Sequence, residues 1–345
     1  MKSTRRIAVA VAVSLTCLPL AACGSGGGQE STEVGESWSE IERLASTEGE
    51  VTIYSSQVPD SLNGLEKAFE AAYPEIDLVV IRDTDTALAP KVEAEAQTNQ
   101  QVADVYVSAS EPWILAHQDL MVEVAGPAYD DAAYDKKMFS PRGTDFAVGA
   151  ATPAIGWNTD LLPKGLTSYE DLLKPSLSGK FGIMDGTISA SLSDFYGYLG
   201  ELYGDDFLDE LAAQEPRFYP SSVPMGEALA SGEIAASNFV SIPQVEAAKA
   251  NGAPVDWALI DEPWGTPYQA LIVKGSAHQN AAQVLANFML TPEGQAAIAK
   301  NVASVLPDID GAVAFAGDLR QPDPKRIEAD AVAKFNEIWQ EIFGG

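Results

Sequence analysis

The chain has 345 residues, of which 50 are acidic and 21 basic, giving a net charge of −29, and its hydrophobic content is 46%. A field this negative repels nucleic acids and anionic membrane surfaces, so no nucleic-acid partner is expected. The length and apolar content suffice for a stable core, which we expect to be divided between two lobes.

The first 22 residues have the features of a secretory signal peptide. Three basic residues precede an apolar run over residues 7–20, which is too short for a good membrane span. Residues 20–23 (LAAC) resemble the lipobox of bacterial lipoproteins. That resemblance implies cleavage before Cys23 and a lipid on this cysteine, so that the chain is anchored to the cell membrane. The alternative is a plain secreted protein with a free thiol.

Residues 23–36 then provide the lipidated cysteine and a polar, glycine-rich tether. Cys17 leaves with the signal and Cys23 carries the lipid, so the mature chain keeps no thiol for a disulfide, a zinc site or a nucleophile. Because the signal contains three basic residues and no acidic one, its removal takes the net charge from −29 to −32. The lipid holds the domain at a membrane without a transmembrane helix.

The mature domain begins with a short helix over residues 37–45 and then a strand over residues 51–54 (VTIY), followed by Ser55 and Ser56. A Pro-Asp-Ser turn at residues 59–61 supplies N-cap chemistry for a helix whose apolar positions recur every three or four residues. A strand that ends in hydroxyls at a helix N-terminus suits an anionic ligand. The alternative is an ordinary turn with two solvated serines.

Two further strands, over residues 76–81 and 102–107, alternate with helices over residues 87–97 and from Pro112 onward. This alternation predicts a parallel sheet whose ligand-facing edge lies at the strand C-termini. Ser108 and Ser110 follow the third strand, so the sequence places them at the same edge as the first pair of serines.

Residues 146–157 form a long extended run, interpreted as a crossing strand into the second lobe. A short helix framed by Ser168 and Asp171 follows. The strand at 181–184 then leads into a hydroxyl-rich turn at the start of a helix over residues 192–202. This turn contains Thr187, Ser189 and Ser191. Two hydroxyl-rich turns facing each other predict a cleft.

The remaining elements alternate in the same way up to a C-terminal amphipathic helix. The sequence predicts a helix at 224–231, a strand ending near 238–239, a helix at 242–251, a strand at 255–260, a turn at 264–267, a strand crossing back at 268–273, and a helix at 281–290. Thr291 is the predicted N-cap of the next helix, with Pro292 at its first position. The apolar stripe of the last helix is Ile327, Ala331, Phe335, Ile338 and Ile342.

Several segments in order, including VTIYSSQ, ADVYVSAS, GWNTDLLP, SYEDLLKPSLSGK and KGSAHQNAAQVLANFMLTPEGQ, resemble the extracellular solute-binding proteins of ABC importers. The resemblance extends from about residue 50 to 300 and is strongest to the branch of ferric-iron, 2-aminoethylphosphonate and sugar-phosphate binders. It implies an α/β fold of the type II periplasmic binding proteins: two Rossmann-like lobes joined by crossing hinge strands. The expected first lobe comprises residues 37–147 plus about 270–312, the second lobe 148–269, and a C-terminal helical segment 313–345.

The same resemblance implies a monomer without a cofactor that delivers a small ligand to an ABC permease and ATPase complex. Carried over residue by residue, it assigns eight ligand-binding positions to the turns described above and their neighbours. These are Ser55, Ser56, Ser108, Ser110, Thr187, Ser189, Ser191 and Ser222. Asn238, at the position where ferric members have a ligand, and Trp264, a candidate for the cleft wall, complete the ten predicted ligand-binding residues.

Ferric members of the family have two adjacent tyrosines after the strand that contains a Gly-Glu pair, because phenolate is a hard ligand for a hard cation. Here that position is Asn238-Phe239, and no adjacent tyrosine pair occurs in the sequence. Bare ferric iron is therefore disfavoured, and no metal site is assigned. His117 and His278 are interpreted as surface residues rather than metal ligands.

Trp113, Trp157 and Trp264 are candidates for the cleft wall, although tryptophan is more often a core residue. Glu111 and Asp185 lie near the two turns and suit an amine. The favoured ligand is accordingly a phosphonate or phosphate-type anion, with or without an amine. Ferric complexes, a polyamine and other cations are the alternatives.

An enzyme is the competing class. The sequence contains no GxSxG, HExxH or P-loop pattern, and neither histidine has a catalytic context. A surface-anchored hydrolase is a remote alternative, as is an adhesin, which would not need two matched hydroxyl-rich turns.

Overall fold

A computed structural model describes residues 33–344. The predicted signal peptide and Cys23 lie outside the described residues. Within the described part of the chain, no helix is long and apolar enough to cross a membrane.

The described residues form twelve α-helices and twelve strands. The strands are β1 (Glu50–Ser55), β2 (Asp77–Arg82), β3 (Val105–Ser108), β4 (Asp145–Ala151), β5 (Pro153–Asn158), β6 (Phe181–Met184), β7 (Arg217–Tyr219), β8 (Ala236–Ser241), β9 (Val255–Ala258), β10 (Thr266–Ile272), β11 (Ala303–Ser304) and β12 (Ala314–Phe315). The helices are α1 (Trp38–Glu48), α2 (Pro59–Ala72), α3 (Asp85–Thr98), α4 (Glu111–Ala116), α5 (Lys136–Phe139), α6 (Ala190–Tyr203), α7 (Phe207–Ala213), α8 (Ser222–Ser231), α9 (Ile242–Ala250), α10 (Gln279–Met289), α11 (Pro292–Ile298) and α12 (Ala329–Phe343).

The first lobe is built on a seven-stranded sheet in the order β12-β11-β4-β10-β3-β1-β2. As predicted, β1 pairs in parallel with both β2 and β3, and the C-termini of these strands share one edge. β10 is antiparallel to β3 and β4, because it returns from the other lobe. The buried helix α10 and the sheet enclose an apolar core that includes Ile53, Val105 and Ile272.

The second lobe is built on a five-stranded sheet in the order β7-β6-β8-β5-β9. Its central strands are short and apolar, and their side chains pack against α6 and α8 in two adjoining clusters. β7 was not predicted, because its residues Arg217 and Phe218 are exposed at the edge of the sheet and give no burial pattern. The two separate sheets confirm the α/β fold with two lobes.

The extended run at 146–157 is not one strand but two, each in a different sheet. Thr152 separates β4 from β5, and its Oγ1 donates a hydrogen bond to the carbonyl of Trp264 at 2.8 Å. The second crossing is the segment around Trp264, which leads back to β10. The third is the segment around Arg320: Gly265 N donates a hydrogen bond to the carbonyl of Arg320, and Arg320 N donates one to the carbonyl of Pro263. Three chain segments therefore pass side by side between the lobes.

The C-terminal segment contacts both lobes. β12 adds a short strand to the first sheet, whereas α12 packs on the core of the second lobe. The predicted apolar stripe is wrong at Ile338, which is 40% exposed, while Trp339 is 2% exposed. The helix instead buries the face formed by Phe335, Trp339 and Phe343, spaced four residues apart.

The structure confirms the predicted cap of α11 and adds one for α6. Thr291 Oγ1 accepts a hydrogen bond from Gly294 N, and Ser189 Oγ accepts one from Leu192 N. The segment framed by Ser168 and Asp171 is a 3₁₀-helix (Tyr169–Leu173) with Ser168 as its cap. The prediction for α2 was wrong, because this helix begins at Pro59 after Val58, whose side chain cannot cap it.

Candidate functional site

Two adjoining cavities lie between the lobes. The first cavity has a volume of about 440 Å³ and the second about 410 Å³. Both are lined by Ser189 and Ser191 of the second lobe and by Thr266 of the first, so the cavities form one continuous interlobe cleft. Their combined size is that of a small-molecule site.

The first cavity is the more polar of the two. Besides the shared residues, it is lined by Asp85, Thr86, Ala109, Ser110, Glu111, Pro112, Met138, Pro141, Arg142, Ala190, Pro267, Gln269, Gln321, Pro322 and Ile327. The second cavity is lined by Val58, Ala151, Thr152, Pro153, Met184, Ile188, Leu192, Ser222, Phe239, Val240, Ser241, Ile242, Pro243, Trp264, Tyr268, Asn301 and Val302. No acidic or basic side chain is among the residues that line the second cavity.

Six helices begin at the cleft: α2, α3, α4, α6, α8 and α9 each contribute an N-cap or first-turn residue to its lining. Of these, only α6 has a side-chain cap, provided by Ser189. The N–H groups of a first helical turn have no intrahelical partner, and the helix dipole adds positive potential there. The backbone therefore makes this part of a very acidic protein attractive to an anion.

Six cleft hydroxyls make no hydrogen bond within residues 33–344 and are available to a ligand. They belong to Ser110, Ser191, Ser222, Ser241, Thr266 and Tyr268. Burial, reinforced by the Asp85 carboxylate and opposed by Arg82, raises the pKa of Tyr268 to about 12. Its hydroxyl is therefore protonated at neutral pH and can donate a hydrogen bond.

The charged groups of the cleft are confined to the first cavity. Arg142 donates to both carboxylate oxygens of the fully buried Asp145, at 2.7 and 2.5 Å, and its Nη1 lies 3.9 Å from Glu111 Oε1. The hydrogen bond to Asp145 is the main cause that raises the pKa of Arg142. Asp85 accepts hydrogen bonds from Tyr106 and Ala109 N. With Asp145 compensating Arg142, Asp85 and Glu111 leave the first cavity with a negative balance.

Gln269 adds an unsatisfied acceptor to this cavity. Its Oε1 is buried and has no hydrogen-bond partner in the described part of the chain, and the residue lines the cavity from the middle of β10, opposite Ser108 at the end of β3. A buried amide oxygen without a partner costs free energy, which a donor on a ligand would recover.

The structure places five of the ten predicted ligand-binding residues in the cleft lining: Ser110, Ser189, Ser191, Ser222 and Trp264. The hydroxyls of Ser110, Ser191 and Ser222 make no bonds within residues 33–344, whereas Ser189 caps α6. The indole of Trp264 donates to Asp194 Oδ2 at 2.7 Å, so its polar atom is already used.

The other five, Ser55, Ser56, Ser108, Thr187 and Asn238, line neither cavity. Four of them form local hydrogen bonds. Ser55 bonds to Gln57, and Ser108 accepts from Ser110 N. Thr187 donates to Asp185 at 2.8 Å. The buried Asn238 joins the Tyr196 hydroxyl to Met184 N. The structure thus gives these four side chains a local role, and their binding of a ligand stays a prediction.

Ser56 differs from that group. Its Oγ is buried and has no partner within residues 33–344, and the same holds for Gln57 Nε2. Both residues directly precede Val58, which lines the second cavity. The end of β1 therefore keeps two unused polar atoms close to the cleft, as expected for a turn that adapts to a ligand.

Two candidate tryptophans lie away from both cavities. Trp113 stacks on His117 with ring centres 4.4 Å apart and donates to Glu93, and Trp157 is a core residue of the second lobe. His278 lies 3.0 Å from the buried Asp104. Within the described residues, no group of three or more acidic, histidine or cysteine side chains is arranged to hold a metal ion.

Several lining residues were missed in the sequence. Asp85 and Thr86 follow β2 at the C-terminal edge of the sheet, so the rule that selected Ser108 would have found them. Tyr268 and Gln269 lie on the predicted return strand, where no motif marks them. Arg142 and the C-terminal segment (Gln321, Pro322 and Ile327) reach the cleft only through tertiary packing, and no local pattern indicates that.

Comparisons with known proteins agree with this architecture. A family model described as bacterial extracellular solute-binding protein matches residues 51–301. A search of curated proteins finds no match.

Among solved structures, iron-bound HitA from Pseudomonas aeruginosa is 21% identical, with a TM-score of 0.66, covering 85% of this chain and 99% of its own. AfuA from Actinobacillus pleuropneumoniae, with fructose-6-phosphate bound, is also 21% identical, with a TM-score of 0.63 and coverage of 86% and 99%. The substrate-binding protein of an ABC transporter from Agrobacterium tumefaciens has a TM-score of 0.68 at 15% identity, covering 85% and 94%. At these identities the likeness establishes the fold and leaves the ligand undetermined.

Proposed function

Because this chain belongs to the bacterial extracellular solute-binding proteins, we propose that it captures a phosphonate or phosphate-type anion, with or without an amine, in the interlobe cleft. Proteins of this family act outside the cytoplasm, bind small solutes and work with the permease and ATPase of an ABC importer. The fold supports capture by hinge closure of the two lobes.

The observation that carries the anion proposal is the set of free donors at the cleft. Six helix N-termini and six hydroxyls without a hydrogen-bond partner in residues 33–344 converge there. The part of the cleft around Ser191, Ser222 and Ser241 has no carboxylate in its lining that would repel an anion. Oxygen-rich groups such as phosphonate accept hydrogen bonds from many donors at once.

The lining of the first cavity favours a ligand that also carries an amine. Glu111 and Asp85 are carboxylates in its lining, and Gln269 Oε1 is an acceptor without a partner in the described chain. Asp185, which the sequence also suggested for an amine, instead accepts a hydrogen bond from Thr187 and lies outside both cavities. A ligand amine would thus lie on the first-lobe side.

The alternatives have less support. HitA is an iron-bound neighbour, but Tyr268 is the one tyrosine among the residues that line the two cavities. The position of the ferric tyrosine pair is occupied by the buried Asn238 and by Phe239, which presents a ring to the second cavity. A polyamine would use Glu111 and Asp85 but leave the free donors unmatched. No constellation at the cleft supports a hydrolase.

Three further points belong to the same proposal. Lipidation of Cys23, followed by a flexible tether, would keep the domain beside its permease, and a single chain holds a complete cleft and so would act as a monomer. The first lobe would comprise residues 37–147 plus about 270–312 and the second lobe residues 148–269. Residues 313–345 would form a segment that spans both.

The test is a thermal-shift screen of the full-length chain in a mild detergent against phosphonates, sugar phosphates, polyamines and ferric citrate. A ligand at 100 times its Kd stabilises the folded state by about 2.7 kcal/mol, which gives a clear shift. We expect 2-aminoethylphosphonate to raise the melting temperature. Replacing Ser191 and Ser222 together by alanine should abolish this rise, because it removes two hydroxyls that make no hydrogen bond within residues 33–344 and are free to donate to the anion.

Ser178→Ala, on the exposed surface of the second lobe, is the matched control and should leave the shift unchanged. A shift with polyamines alone would overturn the anion proposal and assign the site to Glu111 and Asp85.

A further inference from the structure

The second cavity combines the anion donors at Ser222 and Ser241 with an apolar wall, and the anion proposal does not use that wall. Eleven of the residues that line it are apolar, and they come from both lobes: Val58, Ala151, Pro153, Met184, Ile188, Leu192, Phe239, Val240, Ile242, Pro243 and Val302. Ile188 is 48% exposed, although a large apolar side chain normally avoids water. Together with the neighbouring apolar residues, Ile188 forms a continuous apolar wall that an apolar group could cover.

The two cavities meet at a polar junction formed by Ser189, Ser191 and Thr266, which line both. The N-terminus of α6 points to this junction, so the donors for an anion lie between the carboxylates of the first cavity and the apolar wall of the second. A ligand with its anionic group at the junction would extend an amine in one direction and a further substituent in the other.

We infer that the second cavity is a subsite for an apolar substituent, so that the solute is an amphipathic anion with an alkyl or aryl group. This inference rests on the proposed function. A sugar phosphate fits less well, because its hydroxyls would face Ile188, Phe239 and Val240 without hydrogen-bond partners. A compact phosphonate without a side group would leave the apolar wall of the second cavity uncovered.

Phe239 lies at the position where ferric members of the family have a tyrosine, and it presents an aromatic ring without a hydroxyl to the second cavity. The adjacent Asn238 is buried in the hydrogen-bond network with Tyr196 and Met184, so its amide faces away from the cleft. Phe239 is left to line the second cavity, held in place by an edge-to-face contact with Phe195 at 5.3 Å. A fixed aromatic ring there favours an apolar or aromatic group over a hydrated one.

Two probes that differ in one group test the subsite: 2-aminoethylphosphonate, and the same compound with a phenyl group on the carbon that bears phosphorus. Binding to the full-length chain is measured by calorimetry. We expect the phenyl compound to bind about tenfold more tightly or better, because burial of the ring removes its apolar surface from water.

Ile188→Ser should remove most of this gain, so that the affinity for the phenyl compound falls much more than the affinity for 2-aminoethylphosphonate. The residue is half exposed, so the variant should fold normally. Leu161→Ser, at a side chain of similar exposure (51%) outside the cleft, is the control and should change neither affinity.

Each result is decisive. Equal or weaker binding of the phenyl compound, with 2-aminoethylphosphonate still bound, overturns the subsite and leaves the proposed function standing. An equal loss of affinity for both probes in Ile188→Ser also overturns it, because the side chain would then act on closure in general. If neither probe binds the unaltered chain, the proposed function fails together with the inference.

Discussion

Arg142 shows how a single residue can serve stability and the site together. Its guanidinium compensates Asp145, a carboxylate with no exposed surface, through two hydrogen bonds, while Nη1 faces Glu111 at the first cavity. A buried ion pair adds little net stability, because both charged groups must be desolvated when it forms. Removing one partner is strongly destabilising, because the other charge stays buried without compensation.

Arg142→Met should therefore destabilise the protein by about 3 kcal/mol, because it leaves the Asp145 charge buried and unpaired. Urea unfolding measures the change. In the double variant Arg142→Met/Asp145→Asn, a large part of the loss should be restored. A double variant no more stable than the single one would show that packing of the arginine, and not its charge, is what matters.

His278 is expected to make stability depend on pH. The hydrogen bond to Asp104 is the main cause that raises the pKa of His278 above its ordinary value of 6.5; burial opposes this, and the negative charges of Asp104, Glu48 and Glu50 add to it. A raised pKa in the folded state means that the pair stabilises the protein fully below about pH 6.5. The contribution disappears as the pH rises through the folded-state pKa.

We therefore expect His278→Gln to lower the melting temperature more at pH 5.5 than at pH 9. Melting curves of both proteins across this range provide the measurement. His117→Gln is the control. The ring of His117 stacks on Trp113 and lies 3.5 Å from Glu93, but this carboxylate is 36% exposed, whereas Asp104 is buried. A loss equal at both pH values would contradict the role of the His278 charge.

At the scale of elements, α12 links the C-terminus to the second-lobe side of the cleft. Trp339 lies 4.6 Å from the ring of Tyr196, and a Cβ on Gly186 would meet its indole at 2.8 Å. Gly186 belongs to the loop that leads to Ser189 and Ser191. The C-terminal helix thus covers the back of the loop whose front lines the cleft.

Trp339→Ala should cost about 3–5 kcal/mol in urea unfolding, because it removes a large buried side chain. Ile338→Ala, one residue earlier on the exposed side of the same helix, should change the stability by no more than about 0.5 kcal/mol. Comparable losses in the two variants would restore the helix face predicted from the sequence and contradict the observed one.

Gly265 lies where the crossing segments meet. A Cβ there would stand 2.6 Å from Leu319 Cδ1 and 3.0 Å from the carbonyl oxygen of Ala151. Gly265→Ala should therefore destabilise the protein by about 1–3 kcal/mol. Gly226→Ala, within α8 and with open space around the new methyl group, should instead stabilise it by up to about 1 kcal/mol. A neutral Gly265→Ala would show that the crossings move apart easily.

These elements also show what the sequence can and cannot predict. The strands at residues 51–54 and 181–184 and the cap at Thr291 follow from local chemistry, namely β-branched runs, hydroxyl caps and proline at a first helical position. The break at Thr152 was not predictable, because it depends on a hydrogen bond to Trp264, 112 residues away. The buried face of α12 depends on Tyr196 and Phe218 in the same way.

The residues of the candidate site divide in the same way, into those that local sequence patterns predict and those that only tertiary packing brings to the cleft. Ser110, Ser191 and Ser222 were found because strand ends and helix starts gather at one edge of each lobe. Ser55 and Ser108 satisfy the same pattern, yet their hydroxyls bond within their own turns, and sequence spacing does not distinguish the two cases. Arg142 and Gln321 belong to the cleft only because distant segments pack beside it.

At the scale of the whole molecule, two of the three crossings are tied to the second lobe through one buried carboxylate. Asp194 of α6 accepts hydrogen bonds from Trp264 Nε1 at 2.7 Å, Asp323 N at 3.0 Å and Arg326 Nε at 2.6 Å. The second lobe and the C-terminal segment up to Arg326 are thereby joined into one body. Relative motion of the lobes must then occur in the few residues between this body and the first sheet.

This arrangement predicts closure as a hinge motion of two rigid lobes when the ligand binds. Small-angle X-ray scattering of the full-length chain in detergent, contrast-matched to the solvent, should show a smaller radius of gyration with saturating 2-aminoethylphosphonate. The far-ultraviolet circular dichroism should stay unchanged, because no element unfolds. Asp194→Asn should weaken the hydrogen bonds to Arg326 and the C-terminal segment. The ligand-induced decrease in the radius of gyration should then be smaller, while binding persists. Binding without a decrease in the radius of gyration would mean that the cleft accepts its ligand without closing. The crossings would then hold the two lobes at a fixed angle instead of acting as hinges.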